Sequence, residues 1–334
     1  TSNLTITLAD TAGGPGMDSL ARSVVVKVYN GSVTLDNISN QSYLNSAGAQ
    51  SVSLSGISAR HPDHSLSVTV SSSNNAIFTG APTIGYTSPN ATGTVNFTPV
   101  AGASGTSTLT VTVTDTAGGL GTNSISKNFT VSVYKGAPTL DAITDVSYLN
   151  NAGAKSISLS GISARHPDKY PIAVTVSSTN NAIFTAAPTI TYTSANTTGT
   201  VNFTMNSSAS GTSTLTVTVT DASGGLGTNT TSRNFVVKSY KPSVGLSNIS
   251  DVSALNTASE QTVSLSGIDR RHPDHTIVAS ISSTNDALFQ GGKKPALTYI
   301  SPSATGSIKF TPIAGASGTS TVSVTINDTA GGGL

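Results

Sequence analysis

The sequence predicts an all-β chain made of tandem Greek-key β-sandwiches, and three observations carry that prediction. Ser (53) and Thr (51) supply 104 of the 334 residues, with no Cys and no Trp, far more hydroxyl side chain than ordinary domains carry. Apolar residues alternate with polar ones at period two, as where Leu215, Val217 and Val219 interleave with Thr214, Thr216, Thr218 and Thr220. Successive strand side chains point to opposite faces, so this pattern gives one core face and one wet face. One segment also recurs: GTSTLTVTVTDTAGGLG at Gly105, GTSTLTVTVTDASGGLG at Gly211 and GTSTVSVTINDTAGGG at Gly318, spaced by 106 and 107 residues.

A period near 105 residues is domain-sized, whereas solenoid repeats of about 20–50 residues cannot bury a core alone. The opening TSNLTITLADTAGGPG matches the recurring segment, so 1–31 is expected to hold only the last two strands of a repeat. Full repeats follow at 32–136 and 137–241, and 242–334 is a repeat without its final strand. In 137–241 the alternation places seven strands at 139–146, 155–162, 172–178, 189–193, 199–204, 213–221 and 233–240, bounded by Gly, Pro, Asn and Asp clusters. Seven short strands without helical periodicity indicate an immunoglobulin-like sandwich of two packed antiparallel sheets. Links such as 134–138 are short and Pro-stiffened rather than Gly/Ser-flexible, which predicts a semi-rigid rod growing by roughly 40 Å per domain.

The charge balance excludes several functions. Lys and Arg number 16 against 15 Asp and Glu, a net charge of +1, which leaves no basic footprint for nucleic acid. No apolar run reaches the roughly 20 residues of a membrane span. Without cysteine there is no disulfide framework, thiolate metal site or cysteine nucleophile. Acids are scattered over turns and no glycine-rich loop precedes a helix, so the groups of an active site do not converge and no enzyme is expected.

The strings TLDAITDVSYLNNAGAKSISLSGISA, PTITYTSANTTGTVNFT and GTSTLTVTVTDASGG resemble the tandem immunoglobulin-like or cadherin-like repeats of very large bacterial surface proteins. The resemblance covers nearly the whole chain. It implies an extracellular or cell-surface structural protein: an adhesin stalk, matrix fibre or sheath that continues in a longer array or self-associates into fibres. Many such relatives hold calcium at the domain junction through an Asn-Asp-Ala-Pro linker and a Glu-Asp-Ala-Gly turn. Here the linker reads Tyr134, Lys135, Gly136, Ala137, Pro138, and the turn reads LNSAGAQ, LNNAGAK or LNTASEQ, keeping only Glu260 as an acid. Calcium wants six to eight oxygens, so the junctions are expected to be free of calcium and of any other cofactor.

All five histidines fall in one loop per repeat, between the second and third strands: Arg60-His61-Pro62-Asp63-His64, Arg165-His166-Pro167-Asp168 and Arg271-His272-Pro273-Asp274-His275. Two imidazoles three residues apart beside a carboxylate (His61, Asp63, His64; His272, Asp274, His275) are the start of a metal or glycan site. A third fixed ligand is missing, and the middle copy has Lys169 in place of the second histidine. The alternative is structural: Pro stiffens the loop while Arg60, Arg165 and Arg271 pair with the loop Asp or touch the neighbouring domain, for about 0–1 kcal/mol if exposed. Asp115, Asp221 and Asp328 are assigned to the turn after the sixth strand, where Asp bonds backbone amides. The runner-up function is a glycan- or host-surface-binding module using these loops. A second alternative is a subunit that polymerises by strand complementation, with Leu20, Val24, Val26 and Val28 entering the vacant seventh position of a neighbour.

Overall fold

The computed structural model describes residues 2–12, 14–16, 19–117, 120–167, 171–222 and 225–330. Its chain divides into two compact units, one of Thr1–Pro138, Ala164–Pro171 and Asp221–Asn229, the other of Thr139–Ser163, Ile172–Thr220 and Thr230–Leu334. In the first, β1 (Ser2–Ala9) and β2 (Ser19–Val26) form an antiparallel hairpin. Next come β3 (Gln41–Leu44), β4 (Gln50–Leu54), β5 (Leu66–Ser72), β6 (Thr83–Gly85), β7 (Gly93–Phe97), β8 (Gly105–Asp115) and β9 (Ser124–Tyr134). They make a four-stranded sheet, β3-β9-β8-β5, and a three-stranded sheet, β4-β7-β6.

The second repeat supplies β10 (Val146–Leu149), β11 (Ala154–Leu159), β12 (Ile172–Ser178), β13 (Thr189–Thr191), β14 (Gly199–Thr204), β15 (Gly211–Asp221) and β16 (Thr230–Tyr240). Their order is the same, β10-β16-β15-β12 and β11-β14-β13. The third supplies β17 (Gln261–Leu265), β18 (Ile277–Ser283), β19 (Ala296–Thr298), β20 (Gly306–Phe310) and β21 (Val322–Asp328), in sheets β17-β20-β19 and β18-β21. Third next to sixth, sixth next to seventh, and second next to fifth is the immunoglobulin-like strand order.

The alternation read from the sequence is what fills the core. Every second residue of β8 and β15 is buried. Leu109, Val111 and Val113 interlock with Val131, Val133, Val95 and Leu54 in one cluster, each side chain contributing about 1.5–3 kcal/mol by leaving water. Phe97 lies against Phe78 and Tyr43 at ring distances of 5.1 and 5.6 Å. On the wet face the hydroxyls pair across strands, as between Thr112 and Ser126 at 2.8 Å.

The first strand of each repeat departs from expectation. Thr139 only bridges Ser163, and the strand proper is β10, four residues long and parallel to β16. In between, the Asp145 carboxylate accepts the Val236 amide at 2.7 Å, as Asn40 accepts that of Thr130 at 2.8 Å. A side chain thus replaces a strand carbonyl while the backbone passes from one sheet to the other. That passage runs close over the SLSGI glycine: at Gly161, with φ +66°, an added Cβ would stand 2.2 Å from Asp141 Oδ1.

Candidate functional site

The strand β8 that carries the core also places an acid in it. Leu109, Val111, Val113 and Asp115 lie two residues apart on one face, so the Asp115 side chain turns inward at the end of the sandwich and is buried. A buried carboxylate needs a cation and hydrogen bonds, and Arg60, only 1% exposed, supplies both. Its Nε lies 3.1 Å and its backbone N 3.3 Å from Asp115 Oδ2. The remaining guanidinium donors reach the carbonyls of Ala117 (2.9 Å), Leu120 (2.8 Å) and Gly121 (3.3 Å). His64 Nδ1 lies 2.9 Å from the same Oδ2, and Asp115 Oδ1 accepts the Ala117 amide at 3.1 Å. Burial pushes the Asp115 carboxyl up, but the bonds from His64 and Arg60 outweigh it and hold the group below the usual carboxylate range.

The loop is tied to the segment leading into the repeat. The Arg60 carbonyl accepts the Asn30 amide at 2.7 Å, and the Tyr29 ring lies 5.2 and 5.4 Å from those of His61 and His64. At Gly121, φ +93°, a Cβ would stand 2.4 Å from the Gly31 carbonyl, which instead accepts the Thr122 amide at 3.0 Å. Glycine there lets the turn after β8 touch the linker.

The second copy, also in the first unit, repeats this. Arg165 donates from N to Asp221 Oδ2 at 2.9 Å, and from Nη1 to the Leu226 and Gly227 carbonyls at 3.0 and 3.2 Å. Its carbonyl accepts the Lys135 amide at 2.9 Å. His166 lies 4.8 Å from the Tyr134 ring, and its Nε2 is 3.2 Å from Thr106 Oγ1 at the start of β8. Asp168 and Lys169 lie outside the described residues.

The third copy sits in the second unit. The Arg271 carbonyl accepts the Lys241 amide at 2.8 Å, and its Nε donates to the Lys241 carbonyl at 3.1 Å. His272 stacks 4.9 Å from Tyr240 with Nε2 3.1 Å from Thr212 Oγ1. His275 Nδ1 meets Asp328 Oδ2 at 2.8 Å. Burial raises the Asp328 carboxyl, yet the His275 bond and charge bring it below its ordinary range. His272 is pushed down by burial against opposing pulls from the Gly211 backbone and Asp274.

The sequence offered the loop Asp as the partner of the loop Arg, and the structure pairs Arg60 with another acid. The carboxylate that Arg60 takes is Asp115, 55 residues away and buried; Asp63 instead lies beside His61, Oδ2 to Nδ1 at 3.4 Å. Asp115 does serve its turn, as expected, and the pairing comes in addition. The tyrosine that opens each linker, Tyr29, Tyr134 or Tyr240, was also missed. Both signals were legible: an acid on the core-facing register of a strand, and a tyrosine recurring with the repeat.

Among the described residues no three His, Asp or Glu side chains are grouped as metal ligands, and no helix is long and apolar enough to cross a membrane. The strand-complementation residues lie on or just after β2: Leu20 pairs with Leu8, Val24 with Leu4 and Val26 with Ser2, and all three are exposed, as is Val28.

No protein-family model matches the chain, and no curated protein does. Among solved structures it is similar to a protocadherin gammaB7 fragment (15% identity, TM-score 0.37, over 98% of this chain and 78% of that one). It is also similar to a titin fragment (12%, 0.33, 91% and 93%) and to the human desmocollin-1 ectodomain (10%, 0.31, 98% and 63%). The chain thus spans less than two thirds of the desmocollin-1 structure. These are tandem immunoglobulin-like and cadherin-like proteins. At such scores the likeness carries no argument about activity or partner, and the fold assignment rests on the strand order itself.

Proposed function

We propose that the chain is a non-catalytic structural segment of an extracellular or cell-surface protein, a stalk or filament whose consecutive sandwiches are joined by hydrogen bonds and buried ion pairs of the protein itself rather than by calcium. The supporting observation is one contact made three times: the linker amide of Asn30, Lys135 or Lys241 donates to the carbonyl of Arg60, Arg165 or Arg271. Behind it stands an inward Asp, Asp115, Asp221 or Asp328, held by the Arg or the His of the same loop. Where calcium would bring positive charge to a cluster of acids, the first two junctions have an inward acid and a guanidinium that donates to it and to backbone carbonyls, and in the third His275 holds the acid. The charges are used up within the junction, and catalysis needs groups that reach a substrate.

Thermal unfolding in calcium and in EDTA tests the reading. The expected melting temperature is the same in both; a rise with calcium that EDTA reverses overturns the calcium-free lock. Glycan recognition by these loops would fall to their exposed members, Asp63 and Asp274, whose side chains are 68% and 74% exposed. A glycan array in which binding is lost on Asp63→Ala with Asp274→Ala would replace the passive segment with a binding module.

A further inference from the structure

We propose that His272, the first histidine of the third loop, makes its junction acid-labile, so that mild acid releases the Lys241 linker from the Arg271-His272-Pro273 loop while the sandwiches stay folded. This rests on the junction reading above and adds a regulation to it. His272 is 1% exposed and accepts the Asp274 backbone amide at Nδ1 at 3.2 Å. A ring nitrogen that accepts an N–H carries no proton, so the imidazole is neutral with its hydrogen on Nε2. The protonated Nε2 lies 3.1 Å from Thr212 Oγ1 of the preceding repeat's sixth strand, and the Gly211 backbone is a further hydrogen-bond partner of the ring. A second proton, on Nδ1, has to displace the amide and charge a group shut away from water.

The surroundings decide the sign. Around His272 stand Tyr240 at 4.9 Å, His275 at 5.4 Å, Asp274 with Oδ2 at 3.4 Å, and Lys238. Arg271 adjoins it, Arg270 bonds the carbonyls of Pro273 and His275, Lys241 pairs with Asp269, and Asp328 is taken by His275. Asp274 is the acid directly on the ring, and its exposure screens it. The Tyr240 face returns part of the loss through cation–π attraction, while Lys238 and His275 oppose the new charge. With the folded imidazole shifted below the unfolded value of about 6.5, docking is at full strength above that pH. It weakens as pH falls through it and levels off below the folded pKa.

The test is hydrogen exchange on the whole chain at pH 7.5 and pH 5, corrected for the intrinsic rate. The linker amide of Lys241 is followed against core amides of β15. The expected result is that linker protection drops severalfold while the core amides hold. In a His272→Gln variant the linker protection is expected to be the same at both pH values. Linker protection that is unchanged in the parent, or that falls equally in the variant, overturns the proposal. If the variant does not fold, NMR titration of the His272 imidazole in the parent decides: titration at or above its ordinary value of about 6.5 overturns the proposal. A pH-insensitive junction would leave the calcium-free lock standing, since that is tested by EDTA alone.

Discussion

The second and third repeats carry nearly the same sequence in two places and fold it differently. DVSYLN at 145–150 contains β10, hydrogen-bonded along β16, whereas DVSALN at 251–256 forms no strand and leaves Val252 and Leu255 exposed. GTSTLTVTVTD is strand from Gly211, but in GTSTVSVTIND the strand starts only at Val322. The residues that lose strand structure are those whose only strand partner would be a seventh strand: β16 pairs with β10 on one side and with β15 from Gly211 to Thr220 on the other. From Val322 onward β21 keeps its pairing with β18. The first strand and the start of the sixth are thus templated by the seventh, while the rest of the sandwich stands on its own core.

The largest expected difference concerns the inward acid. Asp221 in the second repeat is fully buried and Asp328 has a slightly more open side chain. Asp221→Asn strips the Arg165 guanidinium of its counter-charge and should cost about 3–5 kcal/mol, the usual loss on breaking a buried pair. Asp328→Asn should cost less. Denaturant unfolding of the two variants checks this, and equal losses would mean that the seventh strand does nothing for the acid. The pH dependence has a definite sign: with the folded Asp115 and Asp328 carboxyls below the unfolded value of about 3.9, their stabilisation is present above that pH and is lost as pH falls below it.

A smaller effect separates two equivalent valines. Val217 is fully buried between β16 and the core, while Val324 in β21 is half-buried. Val217→Ala should cost about 2–3 kcal/mol from lost transfer energy plus a cavity, and Val324→Ala about half as much. Appending a copy of residues 227–240 after Leu334 should erase the difference and bring hydrogen-exchange protection to the amides of 252–255. A chain that gains the strand without that protection would show that the first strand depends on something other than the seventh.

Most of this sandwich was legible because its information is local. Strand faces follow from period two, and the sites of β12 and β14 fall at the expected residues 172–178 and 199–204. The first strand was misplaced because the sheet it joins is decided 90 residues later, by the Asp145 carboxylate capping Val236 and by β16 itself. The junction failed for the same reason. Arg60 and Asp63 are close in sequence and look like a pair, but burial decides the partner, and the buried carboxylate is Asp115. Exposure also inverts with context: the hairpin β1–β2 has the pattern of β8–β9 and is exposed throughout, whereas the inward residues of β8 are buried.

The smallest expected effect tests how firmly the passage between sheets is held. Gly161 and Gly267 both have φ of +66°, and a Cβ would stand 2.2 Å from Asp141 Oδ1 in one and from Ser247 Oγ in the other. Alanine in this left-handed conformation costs about 1–2 kcal/mol whatever the space around it. Relief of the contact is what differs. In the second repeat the passing segment is pinned behind by the Thr139–Ser163 bridge and ahead by β10 on β16, so Asp141 yields only by giving up its 2.7 Å bond from Ser160. In the third, Gly245 bridges Asp269 behind, and the segment ahead is not paired as a strand, so Ser247 can retreat with its backbone. Gly161→Ala should therefore cost about 2 kcal/mol and Gly267→Ala about 1 kcal/mol, read as midpoint shifts in denaturant unfolding. Equal costs would place the hold in the bridge alone and remove the seventh strand from it.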